Sequence, residues 1–188
     1  MNICTSCGKG TLSPILKSSP FMIIKETPTQ NELDAETIFV MRSQNKYGHN
    51  ENTVNYYLNR ELGMVGLQLS TMNLMNFYMH IPPKVGRSKE QQAILQGCDE
   101  FSIQEVLRFT VGMKIILVSG AKIVKLLTGY NTSDVYGLIC KSELLPLVPV
   151  IIPCPNTDKI MNSPIGELRN SLRVFSEQIS IYKQYQGV

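Results

Sequence analysis

Cys4 and Cys7 stand two residues apart in "MNICTSCGKG", the spacing at which two thiolates can grip one metal from a single turn of chain. Such a pair is half of a tetrahedral site. Three further cysteines, Cys98, Cys140 and Cys154, are the short roster of thiols that could complete it. Five is an odd number, which argues against a disulfide framework and for metal binding or chemistry. The first residues lack the basic-then-apolar pattern of a signal peptide, so a cytoplasmic, reducing setting is expected.

Whatever the cysteines do, a folded core must position them. The chain has 188 residues, enough for one domain with a substantial core. Apolar residues make up 43% and charged residues 18%, which excludes a disordered chain, and a net charge of +3 permits nucleic-acid binding without requiring it. The longest apolar run, "LLPLVPVII", is too short for a membrane span and is broken by two prolines.

Four runs predict strands: "FMIIK" from Phe21, "LQLSTMNL" from Leu67, "KIILVSG" from Lys114 and "LVPVII" from Leu147. The first and third are nearly continuous apolar stretches, the pattern of strands covered on both faces. Helical patterns lie between them. "NTVNYYLNRELGMVG" puts Val54, Tyr57, Leu58 and Leu62 on one stripe and ends at glycines suited to a C-cap. Ser88 and Gln91 offer a capping box for "SKEQQAILQGCDEF", which "SIQEVLRFTVG" carries onward. "GAKIVKLLTG" and "PIGELRNSLRVFSEQISIY" complete the set. Strands alternating with long crossovers predict a three-layer α/β/α domain around a central four-stranded parallel sheet. Ligands of such sheets bind beyond the carboxyl ends of the strands, so the segments after each strand are where chemistry is expected.

Those segments, in order, resemble the uracil-DNA glycosylase superfamily, specifically its iron–sulfur branch, from Cys4 to about Glu177. The family's Cys-x-x-Cys is matched by "CTSC". Its Gly-Glu-Ala-Pro-Gly loop is matched by "KETPT", which keeps Glu26 and Pro28 but has Lys25 and Thr29 at the glycines. A second family acid falls on Glu32, and the aromatic base-stacking residue on Phe39 of "IFVMRSQ". The family asparagine falls on Asn76 of "LMNFYMHIPP", and "ILVSGAKIV" is similar to the third strand and its turn. In the last motif, "CPNTDKIMNSP", Cys154 stands where the family has histidine.

The resemblance implies a ligand set. In the family four cysteines hold a [4Fe–4S] cluster; here Cys4, Cys7 and Cys98 keep three positions and His80 takes the fourth. A Cys3His set suits an iron–sulfur cluster or zinc, and Cys140 falls outside the pattern as a small buried residue. The resemblance also implies roles. Glu26 and Glu32 would activate water, Phe39 would stack on an extruded base, and Asn76 would pair with its edge, beside Cys154. Lys84, Arg87 and Lys89 of "PPKVGRSK", at a helix start, would hold DNA phosphates, with Arg42 and Lys46 nearby.

Each of these residues also has a plainer use: Phe39 as core, Asn76 as a turn former, the cations as a solvated loop. Two functions therefore stand side by side. One is a DNA glycosylase that excises uracil or a related pyrimidine, from double- or single-stranded DNA. The other is a catalytically degenerate fold that binds DNA or a protein of replication or repair.

Overall fold

A computed structural model of the chain describes residues 3–44, 47–84, 88–157 and 165–186. Its elements in chain order are β1 (Phe21–Lys25), α1 (Gln30–Asp34), β2 (Arg42–Gln44), β3 (Asn50–Asn52), α2 (Val54–Met64), β4 (Asn73–Asn76), α3 (Lys89–Phe109), β5 (Ile115–Ser119), α4 (Ala121–Thr128), β6 (Val150–Cys154) and α5 (Ile165–Gln186). The continuous apolar runs became the inner strands: β1 and β5 are buried at every position. The sheet has the order β4-β1-β5-β6 and all three pairings are parallel.

Alternation along the strands feeds two cores. Phe21, Ile23 and Leu117 pack with Leu58 and Leu62 of α2 and with Leu172 and Phe175 of α5. Met22, Ile24 and Val118 pack with Val106 of α3 and with Ile123 and Leu127 of α4. Helices thus cover both faces, and the architecture is the three-layer α/β/α fold expected from the sequence. No described helix is long and apolar enough to cross a membrane.

Local chemistry sets the helix ends. Ser88 caps α3, its hydroxyl accepting from the Gln91 N–H at 3.2 Å. Thr29 and Glu32 form a complete capping box on the short α1. One expected strand differs: in "LQLSTMNL" the stretch Leu69–Thr71 is a 3-10 turn, and the strand starts only at Asn73 and runs on past that stretch to Asn76. Thr71 closes that turn by donating its hydroxyl to the Gln68 carbonyl at 2.9 Å, a local bond that competes with the ladder.

Two features of this topology matter for function. The chain leaves β1 toward β4 and leaves β5 toward β6, so the carboxyl ends of β1 and β5 diverge and open a switch point between them. In addition, Asn76, Lys25, Ser119 and Cys154 are register partners across the four strands. Register partners share a face, so these four side chains form one row at the carboxyl edge, on the side of α2 and α5.

Candidate functional site

The cysteine pair sits on a tight knuckle. Gly8 N–H donates to the Cys4 carbonyl at 2.8 Å, and Cys4 N–H to that of Lys9 at 2.9 Å, which turns both thiols the same way. Helix α3 delivers Cys98, and the segment after β4 delivers His80. The helix comes so close to the knuckle that a Cβ at Gly97 would lie 2.3 Å from Ser6 Oγ, so only glycine fits beside Cys98. Cys4 Sγ lies 3.8 Å from Cys98 Sγ, and Cys7 Sγ lies 3.3 Å from His80 Nε2.

All four donor atoms fall within 4.8 Å of one another, a cluster able to hold a metal ion. The ligand set named from the sequence is the set brought together. Cys140 lies elsewhere, buried and bridged to Ile151.

The electrostatics of the cluster suit a cation. Burial pushes the Cys4 thiol up, but the backbone N–H groups of Cys7 and Ser6 and the neighbouring thiols outweigh it, and the net shift is downward. Burial pushes the Cys98 thiol up to about 12 and holds the His80 imidazole neutral below its ordinary range. His80 Nδ1 is buried without a hydrogen-bond partner. A bound cation would stabilise the thiolates and take the neutral imidazole as it stands.

Next to the cluster, Asp99 accepts the Tyr78 hydroxyl and the Lys122 ammonium, the latter at 2.7 Å. Burial, then the Asp99 carboxylate, raises the Tyr78 pKa. Lys122 lies in the first turn of α4, and its backbone N–H donates to Glu26 Oε2 at 3.0 Å. Half-buried Glu26 therefore lies across the switch point, its carboxylate against the first turn of α4. A Cβ at Gly120 would lie 2.4 Å from Glu26 Oε2, so this approach also requires glycine.

The polar row is filled unevenly. Lys25 is fully buried, its ammonium 3.1 Å from Glu32 Oε1 and 3.1 Å from Asn55 Oδ1, and 4.7 Å from the centre of the Phe39 ring. Ser119 is engaged as well, accepting from the Thr157 N–H at 2.8 Å. Cys154 is fully buried; burial pushes its thiol up to about 12, with a hydrogen bond to Ser119 pulling the other way. Asn76 differs from the rest. Only 1% exposed, it has no hydrogen-bond partner for either its amide nitrogen or its oxygen.

Phe39 and Leu74 border an open groove of about 530 Å³, and Leu74 shares a sheet face with Asn76, two residues further along β4. A larger groove of about 920 Å³ lies at the carboxyl end of α4 and before β6, lined by residues such as Thr128, Lys141 and Glu143, apart from the row.

The fold thus brings Glu32, Phe39 and Lys25 into one buried network, with Asn76 and Cys154 in the adjoining row and Glu26 at the switch point. Lys84 and Lys89 are exposed before and at the start of α3, and Arg42 is exposed on β2. Arg87 and Lys46 lie outside the described residues.

Sequence reasoning missed Asn55, which is not among the residues of the apolar stripe expected on α2. It also missed that Lys25 is internal. The Thr-x-x-Glu spacing of Thr29 and Glu32 was the signal for α1 and for where Glu32 would turn. No protein-family model matches the sequence, and no curated protein matches it.

Proposed function

We propose that the chain is a divergent uracil-DNA glycosylase-like protein that binds DNA, takes an extruded pyrimidine into the polar edge of its sheet and hydrolyses the N-glycosidic bond. The observation that carries this reading is the orphaned amide of Asn76 at the carboxyl end of β4. A buried amide left without partners costs roughly 1–3 kcal/mol, a cost that a ligand would offset. One donor and one acceptor on a rigid strand match the N–H and carbonyl of a uracil edge. Phe39, in contact with the Lys25 that pairs with Asn76 across the strands, offers a stacking face, Glu26 a carboxylate to orient water, and Lys84 and Lys89 contacts for phosphates.

A second reading, binding without hydrolysis, is favoured by Cys154. A thiol held up to about 12 is neutral and a weak donor, where the family places an imidazole to stabilise the departing base. One experiment separates the two: a uracil-containing oligonucleotide, single-stranded or paired with guanine or adenine, incubated with the protein and then treated with alkali. Strand breaks at uracil support hydrolysis. Retained preference for the uracil strand without breaks supports the second reading, and neither breaks nor binding overturns the first and leaves only a protein as the partner in the second.

For the Cys3His cluster we propose a single zinc ion rather than a [4Fe–4S] cluster. Thiolate and imidazole donors around one zinc stand roughly 3.5–3.8 Å apart. The Cys4–Cys98 and Cys7–His80 separations of 3.8 and 3.3 Å are close to that, and all four donors fall within 4.8 Å of one another. A cube of four irons and four sulfides would push each donor outward on its own iron. The ion's role is structural, tying the N-terminal knuckle to α3 and to the segment after β4.

A further inference from the structure

We infer that Lys25, Glu32 and Asn55 are positioning residues whose task is to hold Phe39 in a left-handed backbone conformation and so to aim its ring. The inference rests on the proposal that Phe39 stacks on an extruded base. It assigns Glu32 a different role from that of a water-activating carboxylate.

Phe39 has φ +59°, a region that non-glycine residues enter only when their surroundings force them to. Three contacts supply that force. The Phe39 N–H donates to Glu32 Oε1, the Asn55 amide donates to the Val40 carbonyl at 3.2 Å, and the Lys25 ammonium lies over the ring. The backbone is therefore held on both sides of Phe39 while a cation fixes the ring face.

Glu32 has nothing left for water. Its Oε1 accepts from Lys25, Phe39 and Asn55. Its Oε2 accepts from Lys25 and from the Thr29 N–H and hydroxyl, at 3.2, 2.7 and 3.1 Å. A carboxylate with both oxygens so committed, and fully buried, is a fastening point. Lys25 is its counter-charge, and Asn55 bridges the pair to Val40. Lysine at a position where the resemblance expects glycine is thereby explained, because it neutralises the fastening.

The test uses the full chain with Glu32→Gln and the neutral pair Lys25→Met/Glu32→Gln, which removes both charges together and avoids stranding one. Amide exchange and chemical shifts at Phe39 are read by NMR. Binding of a single-stranded oligonucleotide with one uracil is read by fluorescence anisotropy. In folded variants the Phe39 amide should lose about tenfold or more of its exchange protection and shift upfield, because a charge-assisted hydrogen bond is gone. Each variant should also lose the affinity that Phe39→Ala loses, with no further loss when combined with it.

An unchanged Phe39 amide in folded Lys25→Met/Glu32→Gln overturns the inference, as does an affinity loss that adds fully to that of Phe39→Ala. Should the wild-type protein show no preference for uracil, the base-binding proposal fails, and the Phe39 amide alone still decides the positioning role.

Discussion

The cysteine knuckle and the polar edge of the sheet both bury polar groups, and they satisfy them in opposite ways. At the edge, Lys25, Glu32 and Asn55 saturate one another with hydrogen bonds, and Asn76 is the side chain left over. At the knuckle, three thiols and an imidazole converge with little to offer one another: thiols are weak donors, and His80 Nδ1 has no partner. Groups that complete each other make a scaffold. Groups that face inward and cannot complete each other mark the place of something from outside. By that standard the knuckle is a cluster able to hold an ion, and the edge is a scaffold with one open position.

Removing the ion should have an effect matched only by stranding a buried charge. A structural metal held at a thousandfold excess over its dissociation constant contributes about 4 kcal/mol, and in a domain of this size that is about 10 °C of melting temperature. Chelation or Cys98→Ser should lower the melting temperature by about that much, followed by calorimetry with metal analysis of the same sample. One zinc per chain in a colourless protein is the expected stoichiometry, whereas brown protein with four irons would replace zinc by the cluster. Metal-free protein with an unchanged melting temperature would erase the contrast between the two regions.

Lys25→Met alone comes next. It leaves the Glu32 carboxylate buried without its counter-charge, for an expected loss of about 3–5 kcal/mol in urea denaturation. Lys25→Met/Glu32→Gln should regain part of that loss, because no charge is stranded although an amide in place of the carboxylate cannot accept from the Thr29, Phe39 and Asn55 donors together. A double variant as unstable as the single one would mean that the pair stabilises the fold for its own sake.

Both regions draw on residues far apart in sequence, and the knuckle was the more completely legible of the two, since the edge gave up Glu32, Phe39, Asn76 and Cys154 but not the Lys25–Asn55 part of its network. A Cys-x-x-Cys pair has few uses besides metal binding and redox chemistry, so Cys4 and Cys7 announced themselves, and the family resemblance supplied His80 and Cys98. Lysine, glutamate and asparagine have many uses. Nothing near Lys25 tells that Asn55, thirty residues on, will meet it, because the crossover from β1 to β4 makes that contact. The stripe expected on α2 kept Leu58 and Leu62, but Asn55 and Glu61 are buried there too. Each found a partner from another element: Glu61 accepts from Arg169 of α5 at 2.7 Å, and that bond lowers its pKa. The β2–β3 hairpin escaped notice because Arg-Ser-Gln and Asn-Glu-Asn lack the β-branched and aromatic residues that signal strands. Apolar periodicity reports burial against a core. It is silent about burial against a polar partner.

The open position gives a smaller and more pointed test. Because the Asn76 amide is buried without a partner, Asn76→Leu should stabilise the chain by about 1–2 kcal/mol while abolishing any preference for a uracil oligonucleotide. Gain of stability with loss of recognition is the mark of a group kept for a ligand. Destabilisation by a similar amount would show that the edge, like the knuckle's neighbours, is already complete.

The smallest effect compares one element in both regions. Cys154 is a lone thiol among satisfied neighbours, and burial raises its pKa from 9.0 to about 12. As pH rises past 9.0 the unfolded chain releases this proton and the native chain retains it, so stability falls over the interval up to about 12. Against a Cys154→Ala control, the wild-type protein should lose about 1 kcal/mol more between roughly pH 8 and pH 10, read from urea midpoints. Iodoacetamide near pH 8 should leave Cys154 untouched in the folded protein, since the thiolate is the nucleophile. Cys7, partly exposed and released by a chelator, should react under the same conditions. Equal protection of the two after chelation would mean that the knuckle closes without its ion. Equal reactivity would mean that the edge opens to solvent, and that Asn76 is reached by water before it is reached by a base.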